Sequence, residues 1–209
     1  MASSWYAQIP TILTLLREHQ PRSVLDVGKG LGKYGFLIHE YFGLDDTQRP
    51  DPGRPVIGQS RIPVDAVESE QAFLWPHLEH FYRKVYVGRV ETLLDSLPSY
   101  HLVLMCDVIE HLEKEAGLRT LRHFLACGAI VIVSSPIDYF RQENWGSADE
   151  AHVSHWTPAD FSFCFCQWQR VGSSRIYVVS QRQLHFKTFG RGPIRRLKRI
   201  AHAFQDELL

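Results

Sequence analysis

The chain lacks the long apolar segments, the paired cysteines and the basic leader that mark membrane-anchored, disulfide-rich or exported proteins. Its apolar runs are short, as at 129–133, far below the roughly 18 residues needed to cross a bilayer. The N-terminus has no basic start followed by an apolar run, so we expect neither a secretory signal nor a transmembrane segment. None of the four cysteines forms a C-x-x-C pair, which indicates buried thiols in a reducing compartment and argues against a cysteine-bound metal. We therefore expect a cytoplasmic protein.

Carboxylates are absent from a long stretch near the C-terminus. The formal net charge is zero, from 23 basic and 23 acidic residues. However, nine Lys or Arg and no Asp or Glu lie between Asp160 and Asp206. The segment 191–209 is predicted to be a basic amphipathic helix with an apolar stripe that includes Ile194 and Leu197. Packing of this stripe on the domain is the favoured interpretation. Contact with RNA phosphates, and peripheral contact with an anionic membrane or a lipid-linked substrate, are the alternatives.

The remaining composition is that of a folded α/β domain. Of 209 residues, 44% are apolar and 22% are charged. This length suffices for one core and is short for two ordinary domains. Short β-rich runs alternate with helical periodicity along the chain. They predict strands at 23–27, 62–68, 84–88, 101–106 and 129–134, a hairpin at 168–188, and helices near 9–20, 33–42, 70–80, 113–126 and after Thr157-Pro158.

This alternation predicts a three-layer, doubly wound α/β fold. We expect a mostly parallel, seven-stranded sheet with a C-terminal antiparallel hairpin and helices on both faces. Ligands of such sheets bind beyond the carboxyl ends of the strands. We divide the chain into an N-terminal helix at 1–22 that covers the ligand site, a main domain at 23–190 with an inserted loop at 43–61, and the C-terminal helix at 191–209.

Glycines and an acid follow the first two strands. The first strand runs into D-V-G-K-G-L-G, from Asp26 to Gly32, where glycines let the backbone turn tightly and approach a ligand. A plain strand-to-helix turn is the alternative. Glu68 ends the second strand, where a carboxylate can accept hydrogen bonds from a ribose diol. Asp65 competes for that role, but it lies mid-strand and would need a partner. A dinucleotide fingerprint at 30–35 begins too late after the strand.

Together with the segment C-D-V-I-E-H-L at 106–112, these motifs resemble the class I, Rossmann-like S-adenosylmethionine-dependent methyltransferases, in particular their small single-domain branch. The resemblance extends from about 23 to 161. It implies S-adenosylmethionine as the cofactor and a transferase activity. It also implies that Gly28, Gly30 and Gly32 pack on the methionine end of the cofactor and that Asp26 orients the loop or reaches the amino group.

The resemblance implies further cofactor contacts beyond the glycine loop. Glu68 would hold the ribose hydroxyls, and Arg89, Val90 and Glu91 would border the adenine. Arg89 stands where many relatives have an aspartate that accepts a hydrogen bond from the adenine amino group, and arginine has no acceptor. Backbone groups or Glu91 would then have to accept the hydrogen bond from the adenine amino group. Lys29 and Ser69 belong to the same predicted cofactor site, and Asp107 would lie near the sulfonium and the acceptor.

Histidines supply the candidate bases for deprotonating an acceptor. His111 lies in E-H-L, while His152 and His155 lie in A-H-V-S-H-W-T-P before the next helix. Each has a structural alternative, such as packing at a helix start or capping a loop. His152 and His155 form H-x-x-H, but no third metal ligand is evident, so we expect no metal site. We therefore predict His111, His152, His155 and Asp107 as the catalytic residues.

The sequence disfavours two classes of acceptor. The fourth strand is followed by no N-P-P-Y-like run of the kind that methylates nucleobase amines, and no Pro-Cys pair suits methylation of pyrimidine carbon. We therefore expect methyl transfer to a small-molecule or carrier-linked acceptor, with hydroxyl oxygen the favoured atom, by in-line displacement. The alternatives are a non-catalytic module that binds the cofactor or a partner, and an RNA methyltransferase guided by the basic C-terminal segment.

Overall fold

The computed structural model describes residues 4–42, 62–138, 151–184 and 186–189. Seven strands form one sheet in the order β3-β2-β1-β4-β5-β7-β6. Strands β1 to β5 run parallel, while β7 is antiparallel to both β5 and β6. The strands are β1 Val24–Val27, β2 Val64–Glu68, β3 Lys84–Val87, β4 Leu102–Cys106, β5 Ile130–Pro136, β6 Phe165–Val171 and β7 Ser174–Ser180. The predicted fold class is confirmed.

Helices flank this sheet, and several connections are single 3-10 turns. The α-helices are α1 Ile9–His19, α2 Lys33–Phe42, α3 Val90–Leu93 and α4 Lys114–Ala126. Helix α1 ends at Gln20, which adopts a left-handed φ of 48° directly before Pro21. The 3-10 segments are Tyr6–Gln8, Gln71–Phe73, Pro76–His80, Leu94–Ser96, Ile109–His111, Pro158–Phe161 and Lys187–Phe189.

The prediction of one helix near 70–80 is wrong. The segment forms two 3-10 pieces separated by Leu74 and by Trp75, whose φ of −95° and ψ of 146° are extended. Pro76 follows directly, and a proline ring disfavours the helical conformation of the residue before it.

The helix predicted after Thr157 is a single 3-10 turn. Its capping box is nevertheless formed, because the Thr157 and Asp160 side chains each bond the other's backbone N–H.

Apolar side chains pack on both faces of the sheet, which gives the three-layer architecture. Val103 and Met105 of β4 point into one cluster, while Leu102, Leu104 and Cys106 point into the other. All five residues are buried. Burial of a side chain of this size contributes roughly 1.5–3 kcal/mol. The alternation therefore fixes β4 at the centre of the sheet, with its carboxyl end, and the residues that follow it, at one edge of the core.

Asp65 has the partner that its mid-strand position demanded. Its carboxylate accepts from Arg83 Nε at 2.9 Å and Nη2 at 2.6 Å, and from the Tyr100 hydroxyl at 2.7 Å. Asp65 is 1% exposed. Because these donors engage it inside the packed sheet, Asp65 is not available to a ligand beyond the strand ends, and Glu68 remains the acid in that position.

Several predictions concern residues outside the described ranges. The inserted loop at 43–61 and the basic helix at 191–209 lie entirely outside them.

All four cysteines are free thiols; Cys106 is buried as expected, whereas Cys127 is exposed. Within the described part of the chain, no helix has both the length and the apolar character to cross a membrane.

Candidate functional site

A cavity of about 480 Å³ opens at the carboxyl ends of β1, β2, β3 and β4. This volume falls within the usual range of small-molecule sites. The chain passes outward from β1 through β2 to β3 and then crosses back to β4 on the other side of β1, so the cavity lies where the strand order reverses. Twelve of the predicted site residues line it: Asp26, Gly28, Lys29, Gly30, Glu68, Ser69, Arg89, Val90, Glu91, Asp107, His111 and His152.

The glycine loop requires glycine at its first position. Gly28 has a φ of +67°, and a Cβ there would lie 2.5 Å from Cγ2 of Val108. Both the left-handed backbone and the contact with the turn after β4 exclude a larger residue. The amides of Gly28 and Lys29 donate to the carbonyl of Val67. The loop is therefore held against β2 while its surface faces the cavity. Gly32 supports the fold instead, since its missing Cβ makes room for Leu78.

Glu68 joins the glycine loop to the end of β2. Its Oε2 accepts from the Gly30 amide at 2.8 Å, and its Oε1 accepts from the Glu70 amide at 3.0 Å. Burial raises the pKa of Glu68, and the backbone donors oppose that rise. A carboxylate has about four lone-pair sites. Two backbone bonds therefore orient Glu68 and leave acceptor capacity towards the cavity.

Asp26 and Lys29 place opposite charges under the loop. Asp26 is 1% exposed and accepts from the Tyr82 hydroxyl at 2.5 Å. Burial raises the pKa of Asp26 to about 7, despite the Tyr82 bond. The Lys29 ammonium donates to the carbonyls of Gly30 and Phe73, at 3.1 and 2.8 Å. Burial lowers its pKa, while Glu68 and Asp26 oppose that effect. The lysine thus lies between two buried acids on the cavity wall.

Arg89 and Glu91 form an ion pair after β3. Arg89 Nε donates to Glu91 Oε1 at 2.6 Å. The second oxygen, Oε2, is buried and accepts no hydrogen bond. Because both residues line the cavity, Arg89 orients a carboxylate whose remaining oxygen is an acceptor beside the cavity. Arg89, which has no acceptor of its own, therefore supports an acid two residues later.

Asp107, directly after β4, is fully engaged by the protein. It has a left-handed φ of 55°, which is unusual for a residue with a side chain. Its carboxylate accepts from the Trp5 amide at 3.0 Å, from Gln8 Nε2 at 3.0 and 3.1 Å, and from the Ser134 hydroxyl at 2.9 Å. Trp5 and Ser4 also line the cavity. Asp107 thus ties the N-terminal segment to the edge of the site.

The turn Ile109–His111 carries a second acid and the first of two adjacent histidines. Glu110 is 3% exposed, and neither of its carboxylate oxygens accepts a hydrogen bond. Burial, reinforced by the charge of Asp107, raises the pKa of Glu110 well above its ordinary value. The rings of His111 and His152 lie with centroids 5.0 Å apart. Two predicted histidines thus meet at the cavity wall beside an acid that was not predicted.

Two of the predicted residues lie away from the cavity lining. Gly32 packs under Leu78, and the exposed His155 directs Nε2 at the Ile137 carbonyl, 2.8 Å away. Glu110 was not among the predicted site residues, although it is the first residue of the E-H-L motif. The H-x-x-H spacing pairs His152 with His155 in the sequence, whereas the ring of His152 lies beside that of His111 in the structure.

No protein-family model matches the chain, and no curated protein matches its sequence. Solved structures nevertheless superpose on it. WbdD matches 86% of this chain with a TM-score of 0.58 and 16% identity. The N-terminal domain of EvdMO1, with S-adenosylhomocysteine and D-fucose, matches 85% with a TM-score of 0.55 and 12% identity. An O-methyltransferase family protein from Burkholderia thailandensis matches 85% with a TM-score of 0.52 and 8% identity.

The chain has a Rossmann-like methyltransferase fold. Identities this low show a shared fold and nothing finer. The chain spans 83% of the EvdMO1 domain, but only about half of the other two proteins, at 42% of WbdD and 57% of the Burkholderia protein. Any conclusion about activity must therefore come from the cavity itself.

Proposed function

We propose that this chain transfers the methyl group of S-adenosylmethionine to a hydroxyl oxygen of a small-molecule or carrier-linked acceptor. One observation carries the proposal: the cavity at the strand ends combines a glycine loop, two oriented acids with acceptor capacity and a histidine pair. The cofactor supplies an activated methyl group on a sulfonium. The protein then needs to bind it, position the acceptor, exclude water and accept a proton.

The buried acids fit the polar groups of the cofactor. Glu68 retains lone pairs for the two ribose hydroxyls after its bonds to Gly30 and Glu70. Glu91 Oε2, buried and without a donor, fits the exocyclic amino group of adenine. A buried acceptor without a donor is costly, and the amino group would relieve that cost. The loop around Gly28 leaves space for the methionine portion, beside the Lys33 ammonium at the cavity wall.

The histidines, and not Asp107, are the groups suited to accept the acceptor's proton. Three groups already donate four hydrogen bonds to the Asp107 carboxylate. His111 directs Nδ1 at the Ala151 carbonyl, 3.1 Å away. A carbonyl only accepts, so Nδ1 carries the hydrogen and Nε2 is the basic nitrogen of the neutral ring. We assign Asp107 to positioning of the N-terminal segment and keep His111 and His152 on the acceptor side.

Binding of S-adenosylhomocysteine, measured by calorimetry, tests the cofactor assignment. Removal of the two expected ribose bonds in Glu68→Ala should weaken binding by at least roughly tenfold, since even one hydrogen bond to a charged group is worth about 1.5–3 kcal/mol. Glu79→Ala is the matched control, because Glu79 is exposed on the neighbouring 3-10 segment. Absence of binding to the unmodified chain, or equal affinities in both variants, would contradict the proposal.

One observation favours a non-catalytic binding module as the second candidate. Asp107, the residue expected beside the sulfonium, is occupied by the N-terminal segment. A labelled-methyl assay with a panel of hydroxyl acceptors separates the two candidates. Labelled product from any acceptor excludes the binding module, whereas tight cofactor binding without transfer supports it.

A further inference from the structure

Three side chains at the acceptor end of the cavity form a potential metal-binding cluster. Glu110, His111 and His152 each offer one ligand atom, and these atoms lie within 4.8 Å of one another. All three residues line the cavity. Ligands of one cation, each bound at about 2.1 Å, lie roughly 3–4 Å apart. Small rotations of the side chains would therefore bring the cluster to ligating distance.

Glu110 is the observation that most needs explaining. It is 3% exposed, yet both of its carboxylate oxygens are buried without a hydrogen-bond donor. Buried acids are almost always paired, because an ionised carboxylate removed from water without a partner is strongly destabilised. The two imidazoles beside it can share a cation with it. A bound cation would supply the missing partner for both oxygens.

The protein backbone fixes the three side chains relative to one another. The amides of Val153 and Ser154 donate to the Glu110 carbonyl, at 2.9 and 3.1 Å. The Ser154 hydroxyl and the indole N–H of Trp156 donate to the carbonyl of Ile109, at 3.2 and 3.1 Å. These bonds hold the segment that carries His152 against the turn that carries the other two. Such preorganisation is what a metal site requires.

The orientation of His111 agrees with ligation. Its Nδ1–H points at the Ala151 carbonyl at 3.1 Å. A histidine that binds a metal through one nitrogen usually donates from the other to a carbonyl or carboxylate, which fixes its ring and tautomer. Nε2 is therefore the nitrogen directed away from that bond.

We propose that Glu110, His111 and His152 bind a divalent transition-metal cation such as Zn²⁺ or Co²⁺, with open coordination positions facing the cavity. Two imidazoles and one carboxylate suit these borderline cations, whereas Mg²⁺ and Ca²⁺ prefer ligand sets made of oxygen. Three protein ligands leave room for an oxygen ligand from the cavity.

The role of this site rests on the proposed methyl transfer. A hydroxyl bound at the open position has a lowered pKa and releases its proton to solvent. The alkoxide oxygen then forms the new O–C bond with the methyl group. The C–S bond breaks, and its electron pair remains on sulfur, which gives neutral S-adenosylhomocysteine. The two histidines would thus act together through the cation instead of one serving as a base.

Calorimetry of the full chain, stripped with chelator and titrated with Zn²⁺, tests the site. We expect one tight site per chain, weakened at least about tenfold by Glu110→Gln and by His152→Asn. His155→Asn is the matched control, since His155 belongs to the H-x-x-H spacing but lies outside the cluster. Far-UV circular dichroism checks the fold of each variant. His152→Asn changes a loop residue and leaves the buried Glu110 in place. If Glu110→Gln misfolds, the affinity of His152→Asn for Zn²⁺ still decides the question.

The outcomes distinguish the site from its alternatives. No tight site, or unchanged affinity in the Glu110 and His152 variants, overturns the proposal. Loss of binding in His155→Asn assigns the cation to H-x-x-H and overturns it too. Binding of S-adenosylhomocysteine is measured in a separate titration. Zn²⁺ binding by the cluster without S-adenosylhomocysteine binding supports the metal site and refutes the proposed function. S-adenosylhomocysteine binding without Zn²⁺ binding refutes the metal site and leaves the proposed function supported.

Discussion

Replacing Asp26 by asparagine should make the protein more stable at neutral and alkaline pH. Asp26 is the penultimate residue of β1, lines the cavity and is 1% exposed. Burial, strengthened by the nearby charge of Glu68, raises its pKa from 3.8 to about 7, while the Tyr82 hydroxyl, Lys29 and Lys33 oppose the rise. Asparagine has nearly the same shape and keeps an oxygen that accepts from Tyr82. The substitution therefore removes the ionisation and little else.

The sign and size of the effect follow from proton linkage. The folded state holds its proton to higher pH than the unfolded state, so the contribution of Asp26 is fully present below pH 3.8. It is lost as the pH rises through about 7. At about 1.4 kcal/mol per pH unit, the loss is roughly 4 kcal/mol. We expect the free energies of unfolding of Asp26→Asn and of the unmodified chain to be similar near pH 4. At pH 8 the variant should be more stable by up to roughly 4 kcal/mol.

Urea unfolding at several pH values between 4 and 8.5, followed by tryptophan fluorescence, measures this difference. Subtracting the two free energies of unfolding at each pH cancels the titration of the groups that do not interact with Asp26. Asp65→Asn is the matched control: Asp65 is equally buried, but Arg83 and Tyr100 engage it, so its replacement should destabilise the fold. A difference between Asp26→Asn and the unmodified chain that does not change with pH, or an Asp26→Asn that is less stable at pH 8, would refute the reasoning.

Three further predictions concern the cavity and its supports. Glu91→Ala should abolish the preference for S-adenosylhomocysteine over its inosine analogue, which lacks the amino group, in competition calorimetry; an unchanged preference refutes the adenine contact. In urea unfolding, Gly128→Ala should lower the free energy of unfolding by about 1 kcal/mol, because Gly128 has a left-handed φ. Gly28→Ala should lower it by more, because the added Cβ also contacts Val108. Equal losses in the two variants would contradict this prediction. Thr157→Ala should lose about 1 kcal/mol of unfolding free energy by removing the capping box, whereas Thr157→Ser should lose little.

The position of the site could be predicted because it depends on strand order and strand ends. Buried β-rich runs alternating with helices predict a parallel sheet, and the residues after each run then share one edge. Asp26, Glu68 and Asp107 are therefore brought together although they are far apart in sequence. The pairing of Asp65 follows the same logic, because an acid in mid-strand faces the core and requires donors.

The features that could not be predicted depend on contacts across long loops or on one proline. Pro76 divides a segment whose periodicity alone suggests one helix. Glu110 and His152 come together because the segment 153–156 bonds the carbonyls of Ile109 and Glu110. No local pattern encodes that contact. Similarly, the engagement of Asp107 by Trp5 and Gln8 requires the N-terminal segment to cross the strand ends.

The two acids of the turn after β4 show why the cavity suits positively charged ligands. Asp107 and Glu110 are three residues apart, yet the Asp107 carboxylate accepts four hydrogen bonds from three groups and the Glu110 carboxylate accepts none. Packing alone would favour an apolar residue in place of Glu110, because a buried acid without a donor is destabilising. Asp26 carries a related cost on the same cavity wall. A cation or sulfonium bound in the cavity would stabilise the ionised forms of Asp26 and Glu110, so part of the folding free energy that these acids forfeit would return as binding free energy.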